Sequence, residues 1–250
     1  MRIGLLIIGS LYWDPSPVRK RWRQARFGCG GQHRVRIPIR YGRRSNKRGG
    51  TFTMVFAMSC SPPEHQGRGL VVPARAECCE PDHLIEEASQ LWAAERDCSR
   101  VGGISADWGR VCVLPDPDAR GVEGLLHAWQ EKVQGVGSAY RAVPAADGEE
   151  QVLNAATGLA RFRWPLDVDT AEPLAGFGLL LMTATEPTLV RGTYSPASEI
   201  ARSWREDKKD NVSYFHNNRH HGITTFEDEE ILQILRGEPP NKAMEPTART

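Results

Sequence analysis

Acidic residues are missing from one long stretch of this 250-residue sequence. Between Pro15 and Pro63 there is no Asp or Glu, while twelve Lys and Arg fall in the same interval. The charges of the whole chain nearly cancel, at +1, so the molecule as a whole is not drawn to nucleic acid. Long apolar runs are missing too. None approaches the roughly 18 residues of a membrane span, so no membrane contact is expected. The short apolar stretch in "MRIGLLIIGSLYW" is not followed by an A-x-A-like cleavage site, which argues against a secretory leader. The six cysteines show no C-x-x-C spacing and read as reduced thiols. A cytoplasmic protein of bacterial type is expected. Two catalytic signatures are absent as well. "GCGG" at 28–31 lacks the Lys and the Ser or Thr of a P-loop, and Ser10 lacks the G-x-S-x-G elbow of a nucleophile.

What is present is ordinary for a soluble globular chain, with 40% hydrophobic and 25% charged residues. Residues 2–8 read as a fully buried strand that ends in the turn "GSLYWDP" at 9–15. In "HRVRIPIRY" (33–41), Val35, Ile37, Ile39 and Tyr41 alternate with Arg34, Arg36, Pro38 and Arg40, so the two sets face opposite ways. Pro38 points to an edge strand or a bulge. Further strands are expected at 51–58, 69–74, 108–114 and 176–185. Helices are expected from about Asp82 to Asp97, over 122–133, after Ser195-Pro196, and after a capping box from Thr224 to Glu227. Residues 120–175 are poor in pattern and rich in Gly, Ala and Pro. The ending "GEPPNKAMEPTART" has little apolar content and should be mobile.

The basic stretch has two readings. It is a surface for phosphates or an acidic partner, or it meets acidic groups of the same chain such as "EDEE" at 227–230. Aromatic residues are not interleaved with its arginines as in a nucleic-acid stacking platform, so no nucleic-acid partner is expected.

Leu84, Ile85, Ala88, Leu91 and Trp92 form the apolar stripe of the 82–97 helix, and the same steps of three and four reach Glu95. Glu86, Glu87 and Gln90 fall on the wet face. Glu95 therefore points where the core face points, and a carboxylate held there is suited to general acid–base work. The alternative is a carboxylate at a frayed helix end, paired with Arg96 or Arg100.

An apolar strand ending in Gly9-Ser10-Leu11, then several strands, then a helix ending in "LWAAERD" form an ordered pair of motifs. Together they resemble the γ-glutamyl cyclotransferase superfamily over roughly residues 3–115. "GSLYWDP" is similar to the "YGSL-x-W-x-P" opening of its ChaC-like branch, and "LWAAERD" to the family's "L-D-x-x-E". Ile8 stands where the family has Tyr, and Trp92 where it has Asp. The resemblance implies an α+β fold: a mixed β-barrel domain with one core helix over 1–118. A C-terminal α-rich extension would pack on it over 119–238, and a disordered tail would follow over 239–250. It implies Glu95 as the catalytic acid/base, with the Gly9-Ser10-Leu11 turn and Tyr12 as the substrate-binding residues. The substrate would be a γ-glutamyl amine or peptide, cyclised to 5-oxoproline without any cofactor or metal. A non-catalytic module of the same fold, holding an acidic small molecule or protein, is the alternative. Tyr12 and Trp13 can each line the cavity or simply pack.

His216 and His220 share a helical spacing of four, but no third metal ligand accompanies them, so no metal site is expected. The tail "NKAMEPTART" is similar to the translated ends of genes on mobile integron cassettes.

Overall fold

The computed structural model describes residues 1–46, 49–78, 80–206 and 212–237. The tail expected over 239–250 lies outside the described residues. Eleven strands are described: β1 (Ile3–Ile7), β2 (His33–Ile37), β3 (Ile39–Ser45), β4 (Thr51–Phe56), β5 (Gly67–Pro73), β6 (Ser105–Ala106), β7 (Gly109–Pro115), β8 (Leu153–Asn154), β9 (Leu159–Ala160), β10 (Leu166–Asp167) and β11 (Leu179–Thr185). The helices are α1 (Pro17–Arg26), α2 (Pro81–Glu95), α3 (Glu123–Val136), α4 (Ala197–Glu206), α5 (Val212–His220) and α6 (Asp228–Arg236).

The fold is mixed α+β. One large sheet runs β10-β2-β5-β1-β11-β7-β9-β8, with β6 beside β7, and β3 and β4 form a separate ribbon. β1 and β11 lie parallel at its centre, pairing Ile3 with Leu179 and Leu5 with Leu181. Where they pair, over Ile3–Leu5 and Leu179–Leu181, both are apolar on both faces, as a strand covered from both sides must be, and Ile3, Leu5, Leu179, Leu180 and Leu181 have no exposed surface.

Two expectations are corrected here. Among the described residues no strand pairing closes the sheet into a barrel. The chain leaves the sheet at Pro38, which has no amide hydrogen for the ladder, and continues as the β3–β4 ribbon. The sheet also runs across the boundary expected at residue 118. β11, from the second half, sits between β1 and β7, so residues 119–238 are not a layer added to a finished domain. An apolar run such as "LLLM" gives no local sign of which strands it will join.

Smaller differences have local causes. The long strand expected over 33–41 is divided at Pro38. α2 begins at Pro81, with Glu80 rather than Asp82 at its N-cap, because proline suits the first helical position. Glu87, expected on the wet face, is buried, since α1 packs there and supplies Arg26 at 3.1 Å. The capping pair is shifted by one: the Asp228 carboxylate accepts from the Thr225 amide at 2.7 Å and from its hydroxyl at 2.6 Å.

The alternation of the basic strand holds for its arginines but not for Pro38, which is buried where the strand divides. Val35, Ile37, Ile39 and Tyr41 are fully buried. Arg34 pairs with Asp169 and Arg40 with Glu227, each at 2.5 Å, and Arg36 is exposed. Both acidic partners come from the second half of the chain. Among the described residues no helix is long and apolar enough to cross a membrane.

Candidate active site

β1 ends at Ile7 and the chain turns at once. The turn is closed by the amides of Tyr12, Trp13 and Asp14, which donate to the carbonyls of Gly9, Ser10 and Ser10 at 3.2, 3.2 and 2.8 Å. Gly9 leaves room for Tyr214 here. A Cβ on it would lie 2.8 Å from the Tyr214 hydroxyl.

α2 stops sharply rather than fraying. Asp97 takes the left-handed conformation, at φ 53°, and the Cys98 amide reaches back to the Ala93 carbonyl at 3.0 Å, the usual way of satisfying last-turn carbonyls. Glu95 is thereby fixed on the final turn, half-buried and one turn after the buried Leu91.

The two motifs meet. Gly9, Ser10, Leu11, Leu91 and Glu95 line one cavity of about 490 Å³. Arg19, on α1, joins its two sides. Its guanidinium donates to Ser10 Oγ at 3.0 Å and Asp14 Oδ2 at 2.9 Å, and to the carbonyls of Ala94 and Glu95 at 3.2 Å each. One buried cation thus caps the C-terminal end of α2, where the helix dipole favours positive charge, and holds the turn of β1 against it. Arg23 adds a second clamp, from its guanidinium to the Leu11 carbonyl at 2.9 Å and the Asp14 carbonyl at 2.7 Å. Ser16 hydrogen-bonds Asp97 directly after α2.

The opposite wall is basic and aromatic. The β3–β4 ladder pairs Tyr41 with Met54 but Arg43 with Thr53, a bulge at Gly42. An uninterrupted strand would place Arg43 on the buried face of Tyr41. The extra residue reverses the phase, and Arg43 and Thr53 both line the cavity. The Arg43 guanidinium lies 4.7 Å over the Trp108 ring, which stacks on Trp92 at 4.9 Å. Burial pushes the pKa of Arg43 down, and the negative charge of Glu95 acts against that shift. The remaining wall comes from the second half: Tyr214 on α5, and Thr183 and Thr185 on β11. The hydroxyls of both threonines are buried without a hydrogen-bond partner among the described residues.

Of the residues expected at the site, Gly9, Ser10, Leu11 and Glu95 share the cavity. Tyr12 does not line it. Its ring stacks on Phe27 at 6.2 Å and meets the edge of His221 at 5.3 Å, and its hydroxyl hydrogen-bonds Gln32. Trp13 packs on Tyr214 and donates its indole N–H to Asn218 Oδ1 at 2.8 Å, tying the turn to α5. His216 and His220 are exposed, and no three-residue group able to hold a metal occurs among the described residues. Arg19, Arg43, Trp108, Tyr214 and the two threonines were not singled out from sequence. Only Arg19 and Arg43 left a signal, as members of the acid-free basic stretch.

Comparison with protein-family models, with curated proteins and with solved structures found no match.

Proposed function

We propose that this protein is a cofactor-independent enzyme of the γ-glutamyl cyclotransferase type, releasing 5-oxoproline from a γ-glutamyl amine or peptide. The observation that carries the reading is the shared cavity. A carboxylate on a helix end faces the same space as the turn that ends β1, and Arg19 ties the two together through Ser10 Oγ and the backbone carbonyl of Glu95.

In this reading the substrate's α-carboxylate sits at the Gly9-Ser10-Leu11 turn, where backbone amides form an anion-binding concavity. Glu95 takes a proton from the substrate's α-amine. The amine nitrogen attacks the γ-carbonyl carbon, the new C–N bond closes the five-membered ring, and the old C–N bond breaks. Glu95 returns the proton to the departing nitrogen, so its own protonation state is restored. Nucleophile and electrophile belong to one molecule, and orientation supplies much of the acceleration. Arg43 offers its charge to the oxyanion that develops on the carbonyl oxygen.

The test is release of 5-oxoproline from a panel of γ-glutamyl amines and peptides. Glu95→Gln keeps the size of the side chain but cannot shuttle a proton. Turnover should fall by about 10²-fold or more with the melting temperature held. A Glu95→Gln protein as active as the parent would overturn the assignment. A folded protein inert on the whole panel, yet raised in melting temperature by one of its members, would favour a binding module.

A further inference from the structure

A second cavity, of about 650 Å³, shares no residue with the one around Glu95. It is lined by the exposed Leu166, the half-buried Trp164 and the edge of Phe162, which is itself mostly buried. Phe162 is stacked on Phe56 at 5.2 Å, and the Trp164 indole is fixed by a 2.8 Å hydrogen bond to the Leu174 carbonyl. Leu166 is 38% exposed, one of the few large apolar side chains left open to water. Three arginines border this surface: Arg36, Arg161 and Arg163. Among the described residues no carboxylate lines it.

These three differ from their neighbours. Arg34 and Arg40, on the same run of chain as Arg36, are each paired with an acid of the second half. Arg36, Arg161 and Arg163 have no ion pair among the described residues, and all three are exposed. Three like charges around an open apolar surface repel one another and gain from an anion brought among them.

We propose that this groove binds a small aromatic molecule carrying two negative charges, with its ring against Phe162, Trp164 and Leu166 and its anionic group among the arginines. The volume lies in the range of small-molecule sites, roughly 300–1,000 Å³. The sheet edge beside the groove is closed to an added peptide strand. β10 is two residues long, Leu166 is bridged on its outer side by Pro173, and the Leu174 amide donates to the Pro165 carbonyl at 3.0 Å. This inference stands apart from the reading of the Glu95 cavity and needs no turnover.

Titration of the full chain with 1-naphthyl phosphate, followed by calorimetry, tests it. One saturable site is expected, and naphthalene-1-methanol, the uncharged counterpart, should bind at least about tenfold more weakly, a difference of about 1.4 kcal/mol. Arg163→Glu should weaken the phosphate by at least about tenfold with an unchanged melting temperature. If Arg163→Glu fails to fold, the Arg161→Gln/Arg163→Gln protein serves in its place and should show the same loss. Arg43→Gln, in the other cavity, should leave this binding untouched. Equal affinity in the parent and the arginine variants would overturn the proposal. So would loss on Arg43→Gln alone, which would place the probe beside Glu95. Tighter binding of an acidic hexapeptide than of naphthyl phosphate would overturn the small-molecule class.

Discussion

Arg19 reaches Ser10 and Asp14 with one nitrogen and the carbonyls of Ala94 and Glu95 with the others. A planar guanidinium can span such a set of acceptors, whereas an ammonium is a compact point charge on a flexible stem. Arg19→Lys should therefore keep the charge beside Asp14 and lose the bridge to α2. On the proposed cyclotransferase reading, the expected outcome is a modest fall in melting temperature with a larger fall in kcat for 5-oxoproline release, because Glu95 and the turn are no longer held in register. Arg19→Ala removes the cation that faces Asp14 at 2.9 Å together with both bonds to the end of α2 and should cost about 2–4 kcal/mol, read by urea unfolding. Equal turnover in the parent and Arg19→Lys would remove Arg19 from any positioning role. Glu95 was legible because a helical stripe is a local pattern, carried by residues three and four apart. Arg19 was not, because its partners on α2 lie 75 and 76 positions along the chain. Trp92 gains a role only once Trp108 stacks on it and Arg43 lies over Trp108.

At the scale of elements, alternation and helical periodicity placed most strands and helices to within a few residues. They failed where a tertiary neighbour decides. The bulge at Gly42 is a feature of the ladder with β4, and a Cβ on Gly42 would crowd Val55 at 2.6 Å and the Tyr194 ring at 3.0 Å. No sequence period announces it, so the entry of Arg43 into the cavity was invisible. The start of α6 is a similar case. Its first turn is acidic, as a helix N-terminus favours, but two of its neighbouring carboxylates are also buried. Burial pushes Glu227 up to about 7 and Asp228 up to about 6, against the opposing pull of Arg40 on the first and of hydrogen bonds from Thr225 on the second. Both folded values lie above the ordinary carboxylate range. The folded protein therefore retains protons that the unfolded chain has already released, so stability is highest on the acid side and is lost as pH rises through the folded values. The melting temperature should climb as pH is lowered from about 8 to about 5. Glu227→Gln should flatten part of that slope while costing stability through the unpaired Arg40. A slope unchanged by Glu227→Gln would mean that other groups set it.

For the whole molecule, the order of the sheet decides what can fold alone. β1 and β7, both within the first 118 residues, never touch as neighbours, because β11 separates them and pairs with β7 from Leu179↔Pro115 to Thr185↔Gly109. Without β11 each would expose an apolar edge of unpaired backbone groups, a template for aggregation. Without the whole second half the cavity around Glu95 would lose Thr183, Thr185 and Tyr214, and Arg34 and Arg40 would lose Asp169 and Glu227. The resemblance over residues 3–115 thus spans both motifs of the candidate site but not a self-sufficient fold. A fragment of residues 1–118 should be insoluble or lack a cooperative melt by circular dichroism. The same fragment mixed with residues 119–250 should regain one, since the sheet has a vacant central place for β11. A cooperative transition of fragment 1–118 by itself would show that β1 and β7 find another arrangement, and that the second half is an addition rather than the middle of the sheet.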